Sequence, residues 1–172
     1  MDRIAILGCG GSGKTHLAHQ LAALLDLPLT HLDAVYYDRD WTPLPAEEFA
    51  ARQRDLVAAP RWLIEGNYAG TLPIRAAAAD TVIFLDVHPL VCLAGIAQRR
   101  CRYRGGQHTD GVYDRITWGF LRYIWGYRTS MRPRVRELLD EHAAHARLVT
   151  LTSRRHTTRW LDQLRAELSQ SR

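Results

Sequence analysis

Lysine is almost missing from this chain of 172 residues: Lys14 stands alone against 22 arginines. Cysteine is scarce too. Cys9, Cys92 and Cys101 are odd in number and fall at no metal-ligand spacing, which argues against a disulfide framework or a zinc site and leaves three reduced thiols as the expectation. No uninterrupted apolar run approaches the roughly 18 residues that a membrane-spanning helix needs, and no signal-peptide pattern opens the chain. A soluble cytoplasmic protein, monomer or homodimer, without a membrane partner is expected. The eight histidines form no HExxH pattern, and His142 with His145 reads as helix surface rather than metal site. Repeats, low-complexity tracts and linkers are absent, so residues 1–172 are expected to make one domain.

What is present is charge of uneven placement. The formal net charge is +5, but residues 1–90 carry 7 basic and 11 acidic groups while residues 91–136 carry 10 basic and 2 acidic. A cationic segment of that density implies an anionic partner: a polyphosphate, a nucleic acid or an acidic membrane surface.

Short apolar runs recur at Arg3 to Leu7 (RIAIL), Leu27 to Leu32 (LPLTHL), Trp62 to Ile64, Thr81 to Leu85 (TVIFL) and Leu148 to Leu151 (LVTL). Between and after them lie stretches of helical period: one through Leu17, Leu21, Leu24 and Leu25, then Ala46 to Ala58, Leu90 to Tyr103, Tyr113 to Tyr127, Arg134 to His145 and Thr157 to Leu168. Strands alternating with helices predict a parallel sheet covered on both faces. The glycines and polar residues of Tyr103 to Val112 (YRGGQHTDGV) predict an irregular loop.

The solitary lysine lies in GCGGSGKT, Gly8 to Thr15. Gly8, Gly13, Lys14 and Thr15 fit G-x-x-x-x-G-K-[ST], with a strand before and an amphipathic helix after. Gly8, Gly10, Gly11, Ser12 and Gly13 let the backbone curl so that amide hydrogens converge on phosphate oxygens, aided by the positive end of the helix dipole. Lys14 then reaches the β and γ phosphates, and the Thr15 hydroxyl ligates Mg²⁺. Arginine serves elsewhere in the chain, but its planar fork does not fit where a slim ammonium must enter a narrow phosphate cradle. Cys9 reads as filler.

Four further stretches accompany the loop: HLD at 31–33, IEGNY at 64–68, VIFLDVHP at 82–89 and RRCRYRG at 99–105. In this order and spacing the chain resembles the adenylate-kinase-like small kinases, and among them the DNA topology modulation proteins, over nearly its whole length. That resemblance implies an α/β three-layer P-loop NTPase fold, a five-stranded parallel sheet in the order 2-3-1-4-5, and an arginine-rich helical lid within 99–132. It implies ATP and Mg²⁺ as cofactors and a small phosphoryl acceptor. It places Glu65 at the metal or beside the attacking group, Asp33 at the acceptor hydroxyl and Arg75 as a grip on the acceptor. Asp33 as a helix cap, Glu65 as a solvated strand-end acid and Arg75 as a solvated helix-start arginine are the alternatives. Asp86 resembles a residue with a structural role at a strand-helix junction.

The resembling kinases use arginines at both ends of a mobile lid to cover the triphosphate. Arg99, Arg100, Arg102 and Arg104 lie before the loop; Arg122, Arg128, Arg132 and Arg134 follow it. Arg99 beside adenine, Arg100 or Arg104 at phosphate, and Arg128 and Arg132 from the returning helix are the expected contacts. Ile116, Phe120, Tyr123, Ile124 and Tyr127 form a helical stripe that predicts packing against the core or lid. Residues Thr152 to His156 are expected as a loop against the purine.

These features point to an ATP-dependent phosphotransferase acting on a small phosphorylated or hydroxylated molecule, nucleoside monophosphates included. A nucleotide-binding regulator that contacts DNA through its cationic segment comes second, although no helix-turn-helix reader is evident, and a slow nucleotide hydrolase third. Replacing the lone lysine, Lys14→Ala, is expected to abolish nucleoside triphosphate turnover in a coupled ADP-release assay; near-normal turnover would remove the phosphate-loop assignment.

Overall fold

The computed structural model describes residues 1–38, 40, 42–103 and 116–170, with the backbone alone at residues 102 and 103. The expected loop at 104–112, Arg104 and the first residues of the helix expected from Tyr113 lie outside the described residues.

Five strands, β1 (Arg3–Gly8), β2 (Leu29–His31), β3 (Trp62–Glu65), β4 (Thr81–Leu85) and β5 (Arg147–Leu151), form one parallel sheet in the order β2-β3-β1-β4-β5, as expected. Ile4, Ala5, Ile6 and Leu7 of β1 are all fully buried, because a central parallel strand is covered on both faces and every alternate residue meets a helix layer. The side chains of Ile4, Ile6 and Leu7 each contribute about 1.5–3 kcal/mol relative to exposure. The register sets Ile6 opposite Glu65, His31 opposite Glu65, and Gly8 opposite Leu85, so the carboxyl ends of four strands meet at one rim. In sheets of this kind that rim is where ligands bind.

Helix α1 (Lys14–Leu25) leaves the loop at Gly13, whose φ of 98° no side-chain cap assists, and buries Leu17, Ala18 and Leu21. The remaining helices are α2 (Leu32–Tyr36), α3 (Ala46–Val57), α4 (Leu72–Ala78) after a single 3₁₀ turn, α5 (Pro89–Tyr103), α6 (Trp118–His142) and α7 (Arg154–Gln170). Four of these depart from the sequence reading. The run LPLTHL ends as a strand at His31 and turns at once into α2. The segment LPIRAAA, too short to show a period, forms α4 with Pro73 in its first turn. Helix α7 begins at Arg154, which leaves Thr152 and Ser153 as the whole of the expected purine loop.

The largest departure is α6. Pro133 removes a backbone donor and crowds the preceding turn, which favours two separate helices. The structure instead runs through it, because the buried face, Ile124, Tyr127, Val135 and Leu139, continues at helical spacing on both sides. Tertiary burial outweighs the local cost of about 3 kcal/mol.

The phosphate loop is packed backbone to backbone. A Cβ on Gly11, at φ +76°, would stand 2.1 Å from the carbonyl oxygen of Cys92, and one on Gly10 would stand 2.6 Å from the Phe120 ring. Gly70, by contrast, has open space around it. Gly11→Ala is therefore expected to destabilise the fold by about 2 kcal/mol or more, whereas Gly70→Ala stays within about 1 kcal/mol; denaturant titration of both variants checks the difference.

Candidate active site

The rim is built from the ends of β1, β2 and β3. The Cys9 carbonyl accepts from Ser12 N at 3.2 Å and from Lys14 Nζ at 3.2 Å, so the lysine lies folded over its own loop. Ser12 is buried and its hydroxyl oxygen has no hydrogen-bond partner, a polar atom poised inside the cradle. At the start of α1, Thr15 Oγ1 donates to Glu65 Oε1 at 3.4 Å, and His31 Nδ1 lies 2.9 Å from the same oxygen. That contact requires the Nδ1–H form of the ring.

Glu65 is almost fully buried. Burial pushes its carboxyl pKa up, but the His31 hydrogen bond, the Lys14 charge and the Thr15 hydroxyl together outweigh burial and hold it below the ordinary carboxylate range. The solvated strand-end alternative is thereby excluded. A hydroxyl and an ionised carboxylate within one hydrogen bond of each other are the hard oxygen donors that Mg²⁺ takes, so the residues present fit the ion. Among the described residues no cluster of three or more His, Cys, Asp or Glu side chains offers another metal site.

On the far side of β3, Asp33 sits in the first turn of α2 and is exposed. It does not cap that helix; its Oδ1 accepts from the Tyr68 hydroxyl at 2.6 Å. Burial and the neighbouring Asp33 push the Tyr68 hydroxyl pKa upward, so it remains a donor to the carboxylate. Tyr68 packs among Tyr36 and Phe49, with ring centroids 4.9 Å from each.

Arg75 departs from expectation. The sequence placed it on the acceptor or in solvent, yet it is completely buried. Its guanidinium donates to the Gln53 and Thr71 side-chain oxygens and to the Gly66 and Asn67 carbonyls. Burial lowers its pKa; these four oxygens stand where a carboxylate partner usually would. A residue without exposed surface cannot grip an acceptor directly. It instead fixes the loop that carries Asn67 and Tyr68.

Arg132 departs likewise. Its guanidinium, expected at the triphosphate, donates to Asp86 Oδ2 through Nε at 2.8 Å and Nη2 at 2.6 Å, and Arg136 adds a third contact at 3.3 Å. Asp86 is buried at the end of β4, and its carboxylate draws these cations because an unpaired charge there would be costly. The structural reading of Asp86 holds. Arg128, one turn earlier, is exposed; Arg99 is half-buried and Arg100 exposed on the last turns of α5.

Several participants were missed. Asn67 Nδ2 donates to the Tyr123 hydroxyl at 2.8 Å and its Oδ1 accepts from the Tyr127 hydroxyl at 3.2 Å. The aromatic stripe of α6 thus packs inward as expected, but it also ties α6 to the IEGNY loop. The Asn in that motif was the available signal. His31, quoted only as the first residue of HLD, shares the Glu65 carboxylate with Thr15.

Sheet order and loop together define a five-stranded parallel α/β fold with a phosphate-loop motif between its first strand and first helix. No family model and no curated protein matches the chain. Among solved structures, it is similar to a shikimate kinase from Acinetobacter baumannii bound to shikimate, at 18% identity and TM-score 0.60, over 99% of this chain and 94% of that one. It is also similar to a gluconokinase from Sinorhizobium meliloti 1021, at 17% identity and TM-score 0.55, over 99% and 97%. A shikimate kinase from Aquifex aeolicus matches at 15% identity and TM-score 0.55, over 98% and 97%.

Removing the buried guanidinium takes the donor from the Gln53 side-chain oxygen and from the Gly66 and Asn67 carbonyls, while Thr71 Oγ1 keeps the Gln53 amide. Arg75→Ala is expected to destabilise the fold by about 3 kcal/mol, read by thermal melting. A variant of unchanged stability that raised only an acceptor KM would restore the gripping role.

Proposed function

We propose that this chain is an Mg²⁺- and ATP-dependent phosphotransferase whose acceptor is a small hydroxylated molecule. The observation that carries this reading is the convergence of Lys14, Thr15, Glu65 and His31 on one rim, with the Asp33–Tyr68 pair on its open side. The similar solved structures named as shikimate kinases and a gluconokinase support the same class.

In this reading the amides of Gly8, Gly10, Gly11, Ser12, Gly13 and Lys14 cradle the phosphates, and the Lys14 ammonium leaves the Cys9 carbonyl for a phosphate oxygen. Thr15 and Glu65 hold Mg²⁺, which when bound neutralises charge on the phosphate oxygens. His31 keeps the Glu65 carboxylate turned toward Thr15. Asp33, oriented by the Tyr68 hydroxyl, accepts the proton of the attacking hydroxyl. Arg99 lies beside the base, while Arg100 and Arg128 meet the triphosphate as the lid closes and excludes water. Arg132 acts through Asp86 in placing α6. Phosphoryl transfer of this kind depends on positioning and charge, which is what these residues supply.

A second reading, contact with DNA as in the topology modulation proteins, draws on the outer face of α6. There Trp118 and Trp125, 82% and 64% exposed, alternate with exposed Arg122 and Arg128, and aromatic and guanidinium planes of that kind stack on bases.

A coupled ADP assay across small alcohols, sugars and nucleoside monophosphates, with a salt titration on duplex DNA alongside, separates the two. ADP release that depends on one acceptor is expected, falling at least about 100-fold in Asp33→Asn with ATP binding intact by calorimetry. Acceptor-independent release, or DNA affinity that falls steeply with salt and no transfer, would overturn the kinase reading.

A further inference from the structure

The acceptor side is built around a cation that it hides. Arg75 has no exposed surface, and α3 covers it from one side through Gln53, itself 0% exposed. The Gln53 oxygen accepts from the guanidinium, and the Gln53 amide donates at 2.8 Å to Thr71 Oγ1, which also accepts from Arg75. The Gly66 and Asn67 carbonyls accept from its other nitrogen. Swinging the guanidinium out to a ligand would strip a dry amide oxygen of its donor, so this arginine is committed to the interior.

The same helix sets an aromatic group beside Asp33. Phe49, one turn before Gln53, is buried against Tyr36 and Tyr68, with ring centroids 4.7 and 4.9 Å away. Tyr36 also meets Tyr68 at 4.9 Å and Tyr37 at 4.8 Å, and these tyrosines are half-buried, with part of each side chain open to solvent. From this group the Tyr68 hydroxyl donates to Asp33 Oδ1 at 2.6 Å. The other described arginines between β2 and β4 have other places. Arg52 pairs with Glu48 at 3.0 Å, and Arg61 binds Asp2 and the Leu25 carbonyl at the amino ends of the strands, opposite the rim. Arg54 is exposed, five positions beyond Phe49 and so on a different face of α3.

We infer that the acceptor is a hydroxyl compound without a carboxylate or phosphate: an uncharged or amine-bearing alcohol whose hydroxyl meets Asp33 while its carbon skeleton lies on the Tyr36, Tyr37 and Tyr68 rings. This rests on the kinase reading and narrows it. An anionic acceptor brought to the exposed Asp33 carboxylate meets like charge, with the Arg75 guanidinium withdrawn, and a site rejects a ligand by leaving its charge unpaired. Aromatic rings supply apolar contact area, and the negative potential over their faces favours an ammonium and disfavours an anion. The transfer itself is that of the kinase reading. The acceptor oxygen bonds to the γ-phosphorus, the bond from that phosphorus to ADP breaks, and the hydroxyl proton passes to Asp33.

The test is a coupled ADP-release assay on the full chain with Mg·ATP and acceptors in matched pairs: shikimate and its methyl ester, D-gluconate and D-glucitol, AMP and adenosine, with D-glucosamine as the amine-bearing member. The uncharged or aminated members are expected to exceed the anionic ones in kcat/KM by at least about tenfold. Tyr36→Leu keeps an apolar side chain and removes a ring. It is expected to raise the KM of the best acceptor at least about fivefold, with kcat held within about threefold and Mg·ATP affinity by calorimetry unchanged. Preference for the anionic members, or equal rates within the pairs, overturns the inference and leaves the kinase reading standing. An unaltered acceptor KM in Tyr36→Leu overturns it as well. ADP release that depends on no member of either set overturns the inference and the kinase reading together.

Discussion

The close approach of the phosphate loop to its neighbours governs the rest of the molecule. Gly8 has φ +149°, and a side chain there would stand 2.8 Å from the Leu85 carbonyl; Gly11 would meet Cys92 and Gly10 would meet Phe120. The loop is thus held by backbone and ring contacts on three sides, from β4, α5 and α6. Only a chain with no Cβ at these points can bring amide donors, a strand end and two helices within one small volume. The same constraint explains why the loop sequence is rich in glycine where it is, apart from any need for flexibility: the positions are crowded, and Gly13, which has open space, is required instead by its φ of 98°.

From that seat the parallel register distributes the chemistry. Because β3 lies between β1 and β2, Glu65 faces the start of α1 on one side and His31 on the other. A carboxylate in so buried a place is expensive unless its lone pairs are used, and here Thr15, His31 and the Lys14 charge keep it ionised. Longer than Asp, Glu65 reaches Thr15 from the last position of its strand. The acceptor side, with Asp33 exposed and Tyr68 behind it, is more open.

Features carried by short stretches were legible in the sequence. The sheet order followed from the resemblance carried by the loop and four further stretches, and Thr15 and Glu65, read from two of them, lie within one hydrogen bond of each other. What could not be read were choices made across long separations. Whether Arg75 meets a ligand or four internal oxygens depends on Gln53, 22 residues away, and whether Arg132 is available depends on Asp86, 46 residues away. An arginine looks the same in either setting. The two helices expected at Tyr113 to Tyr127 and Arg134 to His145 are joined for a related reason: at Pro133 a local breaker is overridden by a buried face extending to both sides of it. Asn67 was quoted as part of a motif, but nothing local announces that a 25-residue helix will return its Tyr123 and Tyr127 to that amide.

These long-range pairs give α6 an unusual position in the fold. Its first turns set Phe120 over Gly10, its middle holds Asn67 through two tyrosines, and its later turns hold Asp86 through Arg132 and Arg136. One rigid element therefore touches the phosphate loop, the loop that follows Glu65 and the end of β4. The Arg132–Asp86 pair is the firmest of these contacts because the carboxylate is buried and bound by two guanidinium groups. The cationic excess of residues 91–136 is thus partly internal: Arg132 and Arg136 neutralise the buried Asp86, while Arg122 and Arg128 are exposed on the same helix.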